Sequence, residues 1–222
     1  MKIPAYGVHV LTAVGAAFGL WAILLTYDGL YQQAMWMLAV AVFIDAVDGT
    51  LARAFNVKEE APVIDGALMD NIIDYTTWTI APLLWAYATL QIPSWVLMLC
   101  ALGSILGFSN TKAKTDDQFF WRFPSYWNIV VFYMFLLDLS TTFCSIILIL
   151  FAIGTIMPVK FVYPTQTVHF KKLNVILGGV FFIQLLVLLY LFDESPPLLI
   201  YSSFIYPVYY FGLSYYLNLK KN

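Results

Sequence analysis

Four aspartates stand inside stretches that are otherwise apolar. Asp45 and Asp48 lie near the end of one long hydrophobic run, and Asp70 and Asp74 lie near the start of the next. A carboxylate inside a membrane helix costs at least about 2.5 kcal/mol on insertion scales, so such residues are kept for what they do. Four like charges do not compensate one another. A divalent cation, or a pair of them, does. An all-oxygen donor set suits Mg²⁺, Mn²⁺ or Ca²⁺ and disfavours zinc, for which no His or Cys stands nearby in the sequence.

The spacing says how these groups meet. Asp45, Asp48, Gly49, Ala52 and Arg53 follow i, i+3, i+4, i+7, i+8 and form one stripe of a helix, while Gly66, Asp70 and Asp74 follow i, i+4, i+8 and form another. The two helices are consecutive, so a connecting loop makes them antiparallel and puts both stripes at one membrane depth. The glycines remove bulk where a ligand approaches, and Arg53 offers a planar fork for phosphate oxygens. Competing readings are carboxylates reaching water from helix ends, or a cation transporter with an ion path. Transporters often carry internal repeats with interrupted helices. No repeat relates the two halves here, and acids gathered at one end leave no ladder across a bilayer.

The elements that hold these stripes follow from composition. The 222 residues are 62% hydrophobic and 11% charged, with a mean hydropathy of +0.81. A soluble domain carries about 25% charged residues, so the expectation is an integral membrane protein. A net charge of −2 excludes the basic face that a nucleic-acid partner needs. Cys100 and Cys144 both sit in apolar runs, where a thiol is a small buried hydrophobe and no disulfide framework arises. A crossing needs roughly 20 mostly apolar residues, which places spans near 8–27, 32–52, 66–90, 94–110, 126–138, 142–158, 174–192 and 198–217. The cut at Asp138-Leu139-Ser140 separates the fifth from the sixth. With eight spans and both termini cytoplasmic, all 11 basic residues fall on the inner side, and the outer turns carry only Asp28, Asp138, Asp193 and Glu194. That is the positive-inside pattern. The expected fold is all-α, a polytopic helical bundle forming a single transmembrane domain over 1–222. The first run is a retained helix in which Gly15 and Gly19 allow close approach of another backbone. His9 reads as an interfacial anchor.

Asp45-Ala-Val-Asp48-Gly49-Thr-Leu-Ala52-Arg53, followed by Gly66-Ala-Leu-Met-Asp70-Asn-Ile-Ile-Asp74, resembles the signature D-x-x-D-G-x-x-A-R … G-x-x-x-D-x-x-x-D of the CDP-alcohol phosphotransferase family. All eight signature residues are present. The spacer over residues 54–65 is longer than the family's usual one, and resembles the branch that makes phosphatidylcholine from CDP-diacylglycerol and choline. Ala113-Lys-Thr-Asp-Asp-Gln-Phe-Phe and Phe123-Pro-Ser-Tyr-Trp-Asn-Ile-Val-Val-Phe-Tyr133 are similar to the same branch. The resemblance covers most of residues 6–135 and weakens beyond about 160.

The resemblance implies direct displacement at the pyrophosphate of CDP-diacylglycerol, with Mn²⁺ or Mg²⁺ as a pair of ions. It implies Asp45, Asp48 and Asp70 as metal ligands, and Asp74 as a shared ligand or the catalytic general base. Asp48, Gly49, Ala52, Arg53 and Gly66 would face the nucleotide and diphosphate. For choline, a fixed cation that donates no hydrogen bond, aromatic faces and carboxylates are the natural receptors. The candidates are Tyr75 and Trp78 beside Asp74, and Asp116, Asp117, Trp121, Tyr126 and Trp127 in an acceptor segment over 112–133; each aromatic also fits an interfacial belt. Serine, ethanolamine or a polyol phosphate are the other acceptors open to the same chemistry. The implied setting is a homodimer in a bacterial inner membrane, its site facing the cytoplasm.

Overall fold

The computed structural model describes residues 3–110, 119–163, 167 and 170–219. Its chain divides into two compact units, Met1–Pro93 with Trp127–Val131, and Ser94–Tyr126 with Phe132–Asn222.

In the first unit, α1 (Ile3–Tyr27) and α2 (Tyr31–Ala54) pack along each other. The turn between them is closed by Gly29, whose left-handed φ of +76° a side chain would resist. Leu30 N–H donates to the Leu25 carbonyl and Gly29 N–H to that of Thr26, at 2.8 and 3.1 Å, a Schellman closure of α1. A short α3 (Val57–Glu60) then leads to α4 (Gly66–Asp74), which runs through a π-helical turn, Tyr75–Ile80, into α5 (Ala81–Leu90). The widening has a local cause. Pro82 has no N–H for the Trp78 carbonyl and its ring would crowd that oxygen, so the backbone opens ahead of it. Thr76 and Thr77 donate their hydroxyls back to the Ile72 and Ile73 carbonyls, each at 3.0 Å. Trp85, fully buried, ties α5 to α2 by donating to the Tyr31 carbonyl at 3.0 Å.

Small residues decide how α1 meets the third run. A methyl group at Gly15 would lie 3.2 Å from Ile73 Cγ2, and one at Gly19 would lie 2.9 Å from Thr77 Cγ2 and 3.3 Å from Thr76 Cγ2. The glycine pair is thus filled by the same chain, on either side of Asp74.

In the second unit, α6 (Ser94–Phe108) packs against α8 (Thr141–Gly154). Cys100 donates its thiol to the Leu148 carbonyl at 3.6 Å. The approach is closest at Gly103, where an added methyl would collide with Thr155 Oγ1 and lie 3.2 Å from the Ala152 carbonyl oxygen. Gly103→Ala is therefore expected to destabilise the protein by about 1–3 kcal/mol, the usual cost of overpacking. A lowered midpoint of thermal unfolding in detergent checks this, and an unchanged midpoint refutes the packing.

Helix α7 (Trp127–Leu136) ends in a turn with Asp138 at φ +47°, and Ser140 caps α8 by accepting from Phe143 N. The expected cut in this apolar stretch coincides with that turn. α9 (Lys171–Leu191) is followed by a 3₁₀ turn, Phe192–Glu194, then α10 (Pro197–Ser203) and α11 (Ile205–Leu219). The last predicted span is broken in two because Pro207 cannot donate to the Ser203 carbonyl. One feature departs from a purely helical expectation. β1 (Phe119–Trp121) pairs antiparallel with β2 (Lys160–Val162), with Phe120 opposite Phe161.

The protein is an all-α membrane protein in its class. Ile3–Tyr27, Tyr31–Ala54 and Lys171–Glu194 are long and apolar enough to cross a bilayer, and Ser94–Phe108, Trp127–Leu136 and Thr141–Gly154 are shorter apolar helices. Side chains such as Val10, Leu20, Trp21 and Leu24 on α1, and Ile176, Val180 and Ile183 on α9, are exposed. In water so many exposed apolar groups would drive association; in lipid they cost nothing.

Candidate active site

The aspartates are delivered by α2 and α4. Asp45 lies in the second half of α2, and Asp70 and Asp74 lie one turn apart on α4. One carboxylate oxygen of each comes within 4.8 Å of the other two, and all three residues are half-buried. That arrangement passes the test for a divalent cation. The donors are all oxygen, three in number and convergent, from two different helices. Asp48 is not a member of this trio. It is buried, 6% exposed, one turn further along α2.

The connection that brings the second stripe to the first is itself well specified. Asp65 caps α4, its side chain accepting from Leu68 N at 3.0 Å, as short polar residues do at helix starts. Ala61 is fully buried among Ala5, Val8 and Val57, with Leu51 and Ala52 packed against them. Ala52 thus sits against a small apolar cluster. A methyl at Gly49, by contrast, would meet only Arg53 Nη1, at 3.7 Å, so its face is open. Arg53 is exposed and donates through Nη2 to Thr50 Oγ1 at 3.2 Å, which aligns the guanidinium along its own helix. Gly66 opens α4 against His9.

Among the acceptor candidates, Tyr75 and Trp78 are half-buried in the π turn that follows Asp74. Trp121 and Tyr126 belong to the other unit. Trp121 already has a cation near its ring, the Lys160 ammonium at 5.8 Å from the centroid. Tyr126 packs on the cluster of Phe119, Val162 and Tyr210, its ring 6.1 Å from Phe123 and 6.2 Å from Tyr210. Trp127 is wholly buried at the start of α7. Asp116 and Asp117 lie outside the described residues.

Comparison with known proteins decides the family. Residues 8–159 match the family model described as CDP-alcohol phosphatidyltransferase. The chain belongs to this family. It is 37% identical over 225 residues to the phosphatidylcholine synthase of Legionella pneumophila, a match covering 96% of this chain and 88% of that protein. The phosphatidylcholine synthase of Legionella bozemanae is 42% identical over 156 residues, covering 68% of this chain and 72% of that one. That of Pseudomonas aeruginosa is 32% identical over 216 residues, covering 96% and 91%. The chain is therefore a membrane-embedded phosphatidyltransferase of phospholipid biosynthesis, and its aspartate trio lies within the matched residues.

His9, read from the sequence as an interfacial anchor, is placed by the fold against the connection that leads to α4. Its partners Ala61 and Gly66 lie more than fifty residues away, and its polarity within an apolar run was the one available signal.

Proposed function

We propose that the protein condenses CDP-diacylglycerol with choline to give phosphatidylcholine and CMP. The observation that carries this is the convergence of Asp45, Asp70 and Asp74 within 4.8 Å, in a family member similar over 96% of its length to two phosphatidylcholine synthases. Mn²⁺ or Mg²⁺, as two ions, is the cofactor this reading requires, and it offsets the charge of the diphosphate and of the departing CMP. Asp45, Asp70 and Asp74 supply the donors, and Asp48, buried on the same helix, completes the acidic set.

The chain's own residues do the rest. Asp74 accepts the proton of choline's hydroxyl. The choline oxygen forms a bond to the phosphorus bearing diacylglycerol, and the bond from that phosphorus to the bridging oxygen breaks. The electron pair leaves with CMP. Gly49 gives the nucleotide room, and Arg53 turns its guanidinium to a phosphate oxygen. Tyr75 and Trp78, next to Asp74, offer aromatic faces to the trimethylammonium group. The reading takes residues 1–222 as one domain with eight crossings, both ends cytoplasmic, and the site at the cytoplasmic side of a bacterial inner membrane. The sorting of basic residues supports that orientation.

The test is purified protein with CDP-diacylglycerol, Mn²⁺ or Mg²⁺ and a panel of labelled alcohols. CMP release with choline alone is the expected result. Release with serine, ethanolamine or a polyol phosphate instead moves the acceptor and leaves the chemistry. Acceptor contacts are checked by substitution: Trp78→Ala is expected to raise the KM for choline about 5- to 30-fold, as loss of a cation–π face of about 1–2 kcal/mol does. Tyr126→Ala and Trp127→Ala run beside it, and an unchanged KM removes either from the acceptor set.

A further inference from the structure

His9 is 5% exposed within the apolar helix α1. An ionisable side chain kept inside such a helix calls for a named partner, and one is present. Its Nε2 lies 3.4 Å from the Ala61 carbonyl oxygen. A carbonyl only accepts, so Nε2 carries the hydrogen. The opposite edge of the ring faces Gly66: a methyl group there would lie 3.1 Å from His9 Cε1 and 3.6 Å from Nδ1.

We infer that His9 is a positioning residue for the aspartate trio, its imidazole fixing where α4 begins, and that position 66 is glycine because that ring fills the space. One ring spans both ends of the connection from Ala61 to Gly66. Its own base is fixed, since Ala5 and Val8 beside it are buried against Val57 and Ala61. Asp70 and Asp74 stand one and two turns past Gly66, about 6 and 12 Å along the axis at 1.5 Å per residue. A rigid helix carries any shift at its start to both carboxylates. Further along, Gly15 meets Ile73 and Gly19 meets Thr76 and Thr77, so α1 runs beside the whole acidic segment, with His9 at its start. The glycine at 66 has a different competing cause, contact with nucleotide, and the two causes give opposite results in one cycle of variants.

The positioning half of this inference rests on the proposed chemistry; the contact between His9 and Gly66 does not. Gly66→Ala, His9→Ala and the double variant are purified in detergent, and thermal unfolding is measured without metal. Gly66→Ala is expected to lower the midpoint, and the double variant to return to that of His9→Ala, because the added methyl then enters the space the imidazole left. Midpoint changes that simply add overturn the contact. CMP release is then measured with whichever acceptor the wild type uses. His9→Ala is expected to lower kcat about 10- to 100-fold with little change in the KM for CDP-diacylglycerol, as misplacement by around an ångström does. His9→Gln, whose amide reaches the Ala61 carbonyl, is expected to recover most of the rate. Wild-type kcat in His9→Ala overturns the positioning role. If the wild type releases no CMP with any alcohol, the proposed function fails, and the unfolding cycle still decides the contact.

Discussion

Asp74→Asn is expected to lower turnover by about 10²–10⁴-fold, the range a positioned general base contributes, while CDP-diacylglycerol still binds. The substitution keeps shape and one carbonyl oxygen, so the open face at Gly49 and the guanidinium of Arg53 are undisturbed. What is lost is basicity, since an amide oxygen does not take the proton of an alcohol near neutral pH, and with it one of the trio's three charges. Asp74 is the member of the trio best placed for the role. It is the last residue of α4, and the aromatic residues Tyr75 and Trp78 follow it in the π turn. Asp74→Glu separates basicity from placement: it restores the proton acceptor but extends it by a methylene, and partial activity is the expected outcome. Retention of more than a tenth of wild-type kcat by purified Asp74→Asn would assign the base elsewhere.

The acidic site was legible because its chemistry is local to two stripes. A helix turns about 100° per residue, so the i, i+4 pair Asp70 and Asp74 points within about 40° of one direction. The same arithmetic shows why Asp48 stands apart. An i, i+3 step leaves it about 60° round the helix from Asp45, and in the structure it is buried outside the trio. Hydrophobic period cannot tell which of two such neighbours faces the opposite helix; packing does. The helices were legible for a similar reason, since each expected span coincides with a helix or a helix run. The breaks within them depend on Pro82 and Pro207, whose positions are plain but whose consequences depend on what the freed carbonyl meets. The paired strands Phe119–Trp121 and Lys160–Val162 are three residues each, too short for alternation to show. His9 was invisible as a positioning group because its partners are brought to it only by the fold.

The second large effect is expected at Asp70. Three carboxylate oxygens within 4.8 Å repel one another by roughly 3 kcal/mol per pair at an effective dielectric near 20. A divalent cation turns that repulsion into attraction. For the wild type, Mn²⁺ at a hundred times its Kd adds about 2.7 kcal/mol to stability, which in a chain of this size raises the unfolding midpoint by about 5–10 °C. Asp70→Asn removes one of the three charges. Without metal its midpoint is expected to stay near the wild type's, the relieved repulsion offsetting the interaction the carboxylate made; with Mn²⁺ the rise is expected to vanish, and CMP release with it. A variant broken by misfolding would instead lose stability in both conditions, so the two readouts separate a lost ligand from a lost fold. Asp48→Asn completes the comparison. If it too abolishes the Mn²⁺-induced rise, all four aspartates hold metal; if the rise survives, ligation belongs to Asp45, Asp70 and Asp74, and Asp48 serves the site from beneath. An Asp70→Asn protein that keeps both the full rise and its activity would leave the trio with no metal to hold.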